Sequence, residues 1–116
     1  MIIIAGHIDF APQESAAAVA AGVELQERTR EQAGCLDYLW SLDPVVPGRV
    51  HVFERWEDEA SLREHFAGEN YSQMRRILRG WEKLQTDIWK YRPDGMERVY
   101  DEHGTPRADF SDGVAG

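Results

Sequence analysis

Residues 35–56 restrict the fold of this chain more than any other stretch. CLDYLWSL (35–42) and RVHVFERW (49–56) are rich in β-branched and aromatic residues. Between them Asp43-Pro44-Val45-Val46-Pro47-Gly48 carries the Pro and Gly of a turn, so the pair reads as a hairpin. In the first strand Leu36, Tyr38, Trp40 and Leu42 share one face, and Cys35, Asp37, Leu39 and Ser41 the other. In the second, Val50, Val52, Glu54 and Trp56 alternate with His51, Phe53 and Arg55. Neither face is cleanly polar, which is the pattern of a sheet covered on both sides.

The flanking segments extend the pattern. Residues 2–10 (IIIAGHIDF) read as a strand by composition and period. Pro12 suits a first helical turn, and 12–32 reads as one helix with Ala16, Val19, Ala20 and Val23 on its apolar face, stopped at Ala33-Gly34. Asp58-Glu59-Ala60-Ser61 opens another helix with acids at its positive end. It sets Leu62 and Phe66 one turn apart, and Gly68 breaks it. A further helical segment, about 70–80, aligns Tyr71, Met74, Leu78 and Trp81. Residues 85–91 read as a fourth strand, with Asp87, Trp89 and Tyr91 opposite Ile88 and Lys90.

The order β-α-β-β-α-β is the split βαβ plan, an α+β ferredoxin-like fold with a four-stranded antiparallel sheet and its helices on one face. Residues 1–91 form this domain. Residues 92–116 are a polar extension with three Arg and six acids. A one-sided helix layer leaves the other face as a large apolar patch. The simplest remedy is a symmetric homodimer with the bare faces packed together. The extension keeps Met96, Val99, Tyr100 and Phe110 as anchors. It is expected to cross to or wrap over the partner with Tyr100 and Phe110 inserted, Val99-Tyr100-Asp101 as a short strand and 101–104 as a turn.

Composition narrows the function. Thirteen Lys and Arg against 21 Asp and Glu give a net charge of −8, which argues against nucleic acid and anionic membrane surfaces as partners. Cys35 is the only cysteine, and Met1 leads into Ile2 with no basic signal region. The expectation is a small cytoplasmic domain. No HxH, HExxH or Cys pair points to a metal, and no GxGxxG or Walker loop to a nucleotide, so no cofactor is expected.

Gly34-Cys35-Leu36-Asp37-Tyr38 entering the second strand and Val52-Phe53-Glu54-Arg55-Trp56 ending the third carry a resemblance. So do the acidic helix start, Leu62, His65, Phe66 and Asn70-Tyr71. Over about residues 1–91 the chain resembles the antibiotic biosynthesis monooxygenase superfamily of dimeric α+β barrels. That superfamily includes cofactor-free oxygenases of polyketide phenols, quinol oxygenases, haem-degrading enzymes and signal-molecule processors. The haem-degrading branch resembles a pattern of Asn in the first strand, Trp in the helix after the third and a later haem-ligating His. This chain has His7, His65 and Arg75-Arg76 in those places. The polyketide oxygenases resemble an Asn and Trp pair on the helix after the third strand, where this chain has Ser61 and His65.

Residue chemistry then supplies the candidates. His65, one turn after Ser61, and His7 on the first strand are the candidate proton acceptors, since imidazole titrates near the working pH. Ser61, Asn70 and Tyr71 would orient substrate oxygens, and Phe66 and Trp89 would pack a ring. His51 reads as structural or interfacial, and Glu54 as half of a salt bridge to Arg55 or Arg75 or as an interface residue. The expected function is oxidation of a small aromatic phenol or quinol by molecular oxygen without cofactor. The rivals are a non-catalytic dimeric module binding a small hydrophobic ligand, and an isomerase or cyclase using the same His.

Overall fold

The computed structural model describes residues 1–111. Its strands are β1 (Ile2–Phe10), β2 (Cys35–Leu42), β3 (Arg49–Trp56) and β4 (Lys83–Tyr91). They form one antiparallel sheet in the order β2-β3-β1-β4. Helices α1 (Ser15–Ala21), α2 (Val23–Arg30), α3 (Glu59–Ala67) and α4 (Glu69–Leu78) supply Ala18, Leu25, Leu62 and Met74 to a single core. The strands meet them with Ile2, Ile4, Ile8, Phe10, Tyr38, Trp40, Val50, Val52 and Trp56. This is the ferredoxin-like α+β fold that the element order implies. In β1 and β3 the covered residues are even-numbered throughout, as a period of two requires. Gly6 is the exception among these side chains. Its φ is +157°, and a Cβ there would lie 2.1 Å from the Asp87 carbonyl oxygen, so only glycine lets β4 close on β1.

Two local readings change. The expected single helix over 12–32 is divided at Gly22 into α1 and α2. Its buried stripe is Ser15, Ala18, Leu25, Gln26 and Thr29, not Ala16, Val19, Ala20 and Val23, of which Ala16, Ala20 and Val23 are exposed. Hydropathy misled because the buried polar side chains carry their own partners. Thr29 Oγ1 donates to the Leu25 carbonyl at 2.7 Å, and Gln26 Oε1 accepts the Trp40 backbone N–H at 3.1 Å, which also closes part of the edge strand β2. Gly22 meanwhile leaves room for Met74, whose Sδ would be 3.3 Å from an added Cβ.

The second change is a bulge. Cys35 pairs with Trp56 and Asp37 with Arg55, so Leu36 is the extra residue. Cys35, rather than Leu36, therefore packs with the core beside Tyr38 and Trp40.

The bare face is read in rows across the four strands. Leu39, Phe53, Ala5 and Trp89 make an apolar row, and Ser41, His51, His7 and Asp87 a polar one beside it. Ion pairs Arg49–Asp9 and Arg55–Asp37 flank them. Asp43 fixes the hairpin turn by accepting from Val45 N–H and Val46 N–H at 2.7 and 2.8 Å. Its other oxygen lies 2.6 Å from His51 Nε2, and these partners hold the Asp43 carboxyl well below the usual carboxylate range.

Residues 92–111 fold back on themselves. Arg107 N–H donates to the Val99 carbonyl at 2.8 Å and Asp101 N–H to that of Thr105 at 3.0 Å. The expected strand at 99–101 amounts to one bridge, Tyr100 to Pro106, and the expected turn is present at 101–104. Tyr100 and Phe110 are exposed. The last five residues of the extension lie outside the described residues.

Candidate functional site

Helix α3 organises the covered side of the molecule. Asp58 caps it, accepting the Ser61 N–H at 2.8 Å, and Glu59 sits in the first turn. Gly34, at φ +82°, lies so close beneath that a Cβ there would meet Ser61 Oγ at 2.1 Å. Ser61 is thus packed into the contact between the β2 entry turn and the helix start. From this anchored end, residues 59, 62, 63 and 66 fall along one side of α3.

That side faces a groove. A cavity of about 460 Å³ is lined by Ile2, Glu59, Leu62, Arg63, Phe66, Lys90, Tyr91 and Arg92. It runs between α3 and the β1–β4 edge. Ile2, Leu62 and Phe66 make its apolar surface; Glu59 and Arg92 are joined across it at 3.0 Å. The groove is within the few-hundred-Å³ range of small-molecule sites.

Behind Phe66 lies an aromatic cluster. The Phe66 and Tyr71 rings meet edge to face at 5.0 Å between centroids. His65 touches both, at 5.7 and 5.5 Å, and also Trp56 at 4.6 Å and Tyr38 at 5.6 Å. Arg75 stands over the Tyr71 ring at 5.9 Å. His65 is only 2% exposed, and burial lowers its pKa from 6.5 to about 4. Its Nδ1 is 2.8 Å from Gln32 Oε1; a carbonyl oxygen accepts, so Nδ1 carries the proton. The imidazole is therefore neutral at pH 7 and enclosed by rings.

Glu54 lies on the same covered face, cross-strand from Ile4 and Tyr38. It is 7% exposed, accepts from Trp56 Nε1 at 3.0 Å, and burial pushes its pKa up to about 7. The salt bridge expected of it is absent among the described residues; Arg55 pairs with Asp37 instead, because odd and even residues of β3 point to opposite faces. Nearby, burial also raises the Tyr38 hydroxyl well above its ordinary value, and Glu54 adds to the shift.

The sequence candidates therefore separate into two sets. His65, Phe66 and Tyr71 are brought together, with Phe66 in the groove wall. Ser61 is at the helix start, and Asn70 sits half-buried in the first turn of α4, outside the groove lining. His7 and Trp89 are on the bare face, with the sheet between them and His65. His7 packs edge-on to His51 at 6.1 Å. Trp89 is 64% exposed, its Nε1 donating to Asp87 at 2.7 Å. The groove residues Ile2, Glu59, Leu62, Arg63, Lys90 and Arg92 were not among the candidates. The helical spacing of 59, 62, 63 and 66 was the available signal; nothing local ties them to 2, 90 and 92. Among the described residues no three His, Cys, Asp or Glu side chains converge as a metal would need. No helix among them is long and apolar enough to cross a membrane.

Comparison with known proteins adds a family and a set of folds. The family model described as antibiotic biosynthesis monooxygenase matches residues 1–77. The uncharacterized Synechocystis protein sll1783 is 29% identical over 65 residues, which span 56% of this chain and 44% of that protein's length. A candidate antibiotic biosynthesis monooxygenase from Deinococcus radiodurans superposes with a TM-score of 0.77 at 24% identity, covering 87% of this chain and all of the other. Rv0793 from Mycobacterium tuberculosis gives 0.70 at 21% identity, over 84% and 97%. At these identities the two structures are alike in fold.

Proposed function

The chain belongs to the antibiotic biosynthesis monooxygenase family, and from that membership we propose that it oxidises a small phenol or quinol with molecular oxygen and no cofactor. The observation that carries this reading is the groove beside α3, apolar on one side and walled by Phe66, whose ring is braced by Tyr71 and His65. A flat aromatic molecule packs against Phe66, Leu62 and Ile2 and loses water from its ring. Glu59 is the carboxylate in the lining and takes the hydroxyl proton. Its pair with Arg92 is exposed, and such pairs cost little to open. The resulting anion gives one electron to oxygen, and the two radicals combine at a ring C–H carbon as a hydroperoxide. Loss of water leaves a quinone carbonyl. One oxygen atom enters the product, and the other departs as water with the ring and hydroxyl hydrogens.

His65 in this scheme is a positioning residue. Enclosed and neutral, it fixes the angle of Phe66 and Tyr71. The same enclosure favours a second reading, a binding module that holds a small aromatic ligand without turning it over, because no imidazole faces the groove. Oxygen uptake by purified, metal-free and flavin-free protein separates them. Uptake with dihydroxyanthracene-type quinols that falls at least about tenfold in Phe66→Ala supports the oxygenase, a loss of the size expected for one aromatic contact. Binding of the same quinols without uptake supports the module.

A homodimer belongs to the proposal. The row Leu39, Phe53, Ala5 and Trp89 places apolar side chains across the bare sheet, rimmed by ion pairs. A second copy laid on it would bury roughly 1,600 Å² or more in total, as stable interfaces do.

A further inference from the structure

Two charged residues of the groove have no task in that chemistry. Arg63 on α3 and Lys90 on β4 line the cavity together with the apolar Ile2, Leu62 and Phe66. Among the described residues neither is in an ion pair, although Arg49, Arg55, Arg76, Arg92 and Arg107 each find a carboxylate. Arg63 and Lys90 are two of the eight Lys and Arg side chains, out of 13, that make no ion pair among the described residues. Both border one apolar recess. A cation there is available to a ligand, and its field favours a bound anion.

We infer that the groove takes an aromatic ring bearing a carboxylate, with Arg63 and Lys90 as the residues that select the ionised group. The inference rests on the groove being the substrate site. A guanidinium fork matches the two oxygens of a planar carboxylate, and an ammonium adds a second point charge. The aromatic wall supplies the ring site. Glu59 is the one acid in the lining against three cations, Arg63, Lys90 and Arg92, so the groove keeps a positive balance whether or not the Glu59–Arg92 pair opens.

The test is anaerobic titration calorimetry with 1-hydroxy-2-naphthoate, its methyl ester and 1-naphthol, so that no turnover is read. The acid should bind at least about tenfold more tightly than the ester, the size expected of a charge-assisted hydrogen-bonded pair. Arg63→Met and Lys90→Met should each reduce that ratio several-fold, and the double variant should bring it near one. Both positions are exposed, and Met is a good helix former at 63. Equal affinity for acid and ester overturns the inference, as does a preference that survives in the double variant or a failure of all three compounds to bind. Between about pH 6 and pH 9 the preference should stay constant. A preference that falls as pH rises, as the ester's phenol ionises before that of the acid, assigns the anion to the phenol oxygen and overturns the carboxylate assignment. Oxygen uptake plays no part in this titration, so absent turnover with an intact acid preference counts against the oxygenase reading alone.

Discussion

Replacing Glu54 by Gln should stabilise the protein, and only above acidic pH. The carboxyl is 7% exposed between apolar neighbours and accepts one hydrogen bond, from Trp56 Nε1. Burial raises its pKa from 4.5 to about 7. Below pH 4.5 the group is protonated in both folded and unfolded chains and costs nothing. Between 4.5 and about 7 the unfolded chain releases the proton while the folded one keeps it, so stability falls as pH rises. Above about 7 the loss is complete, at about 3 kcal/mol for an interval of this width. Gln keeps an oxygen for the indole N–H and cannot ionise. Thermal unfolding followed by circular dichroism should give similar melting temperatures for the two proteins near pH 4.5. At pH 8 the variant should melt roughly 10 °C higher, since a domain of this size moves by about 4 °C per kcal/mol. A difference that does not change with pH, or a variant less stable at pH 8, would refute the buried, uncompensated acid.

The remaining expectations concern His65 and the bare face. The folded pKa of His65, about 4, lies below its ordinary 6.5, so stability is lost as pH falls through that interval. Nitrogen-15 NMR should show a neutral ring protonated at Nδ1 down to about pH 5, and titration near 6.5 would contradict its enclosure. Trp89→Ala should weaken the proposed dimer at least about tenfold by sedimentation while leaving ligand affinity in the groove unchanged, because Trp89 is on the opposite face. A fall in groove affinity with no change in association would reverse that assignment.

The sequence carried the elements and their order because strand and helix periods are local properties. Val50, Val52 and Trp56 announced the covered face of β3 by alternation, and the same alternation set Glu54 among them. Salt-bridge reasoning by chain proximity then paired Glu54 with Arg55, a neighbour that points the other way. Leu36 was misplaced because one inserted residue inverts the parity of everything on its far side, and no composition signal marks the bulge. The α1–α2 stripe was missed because Gln26 and Thr29 look like surface residues until their partners, Trp40 N–H and the Leu25 carbonyl, are in place. The groove depends on β4 docking beside β1. Residues 2, 63 and 90 meet only through that long-range pairing, so Phe66 was legible as a ring-packing residue while Arg63 and Lys90 were not.

Single-turnover oxidation of a quinol under ¹⁸O₂ tests the proposed oxygenase chemistry most directly. Metal-free, flavin-free protein should yield a quinone with one ¹⁸O in the new carbonyl and the second ¹⁸O in water, and Phe66→Ala should slow its formation. No oxygen consumption, or an unlabelled quinone formed together with hydrogen peroxide, would contradict the account.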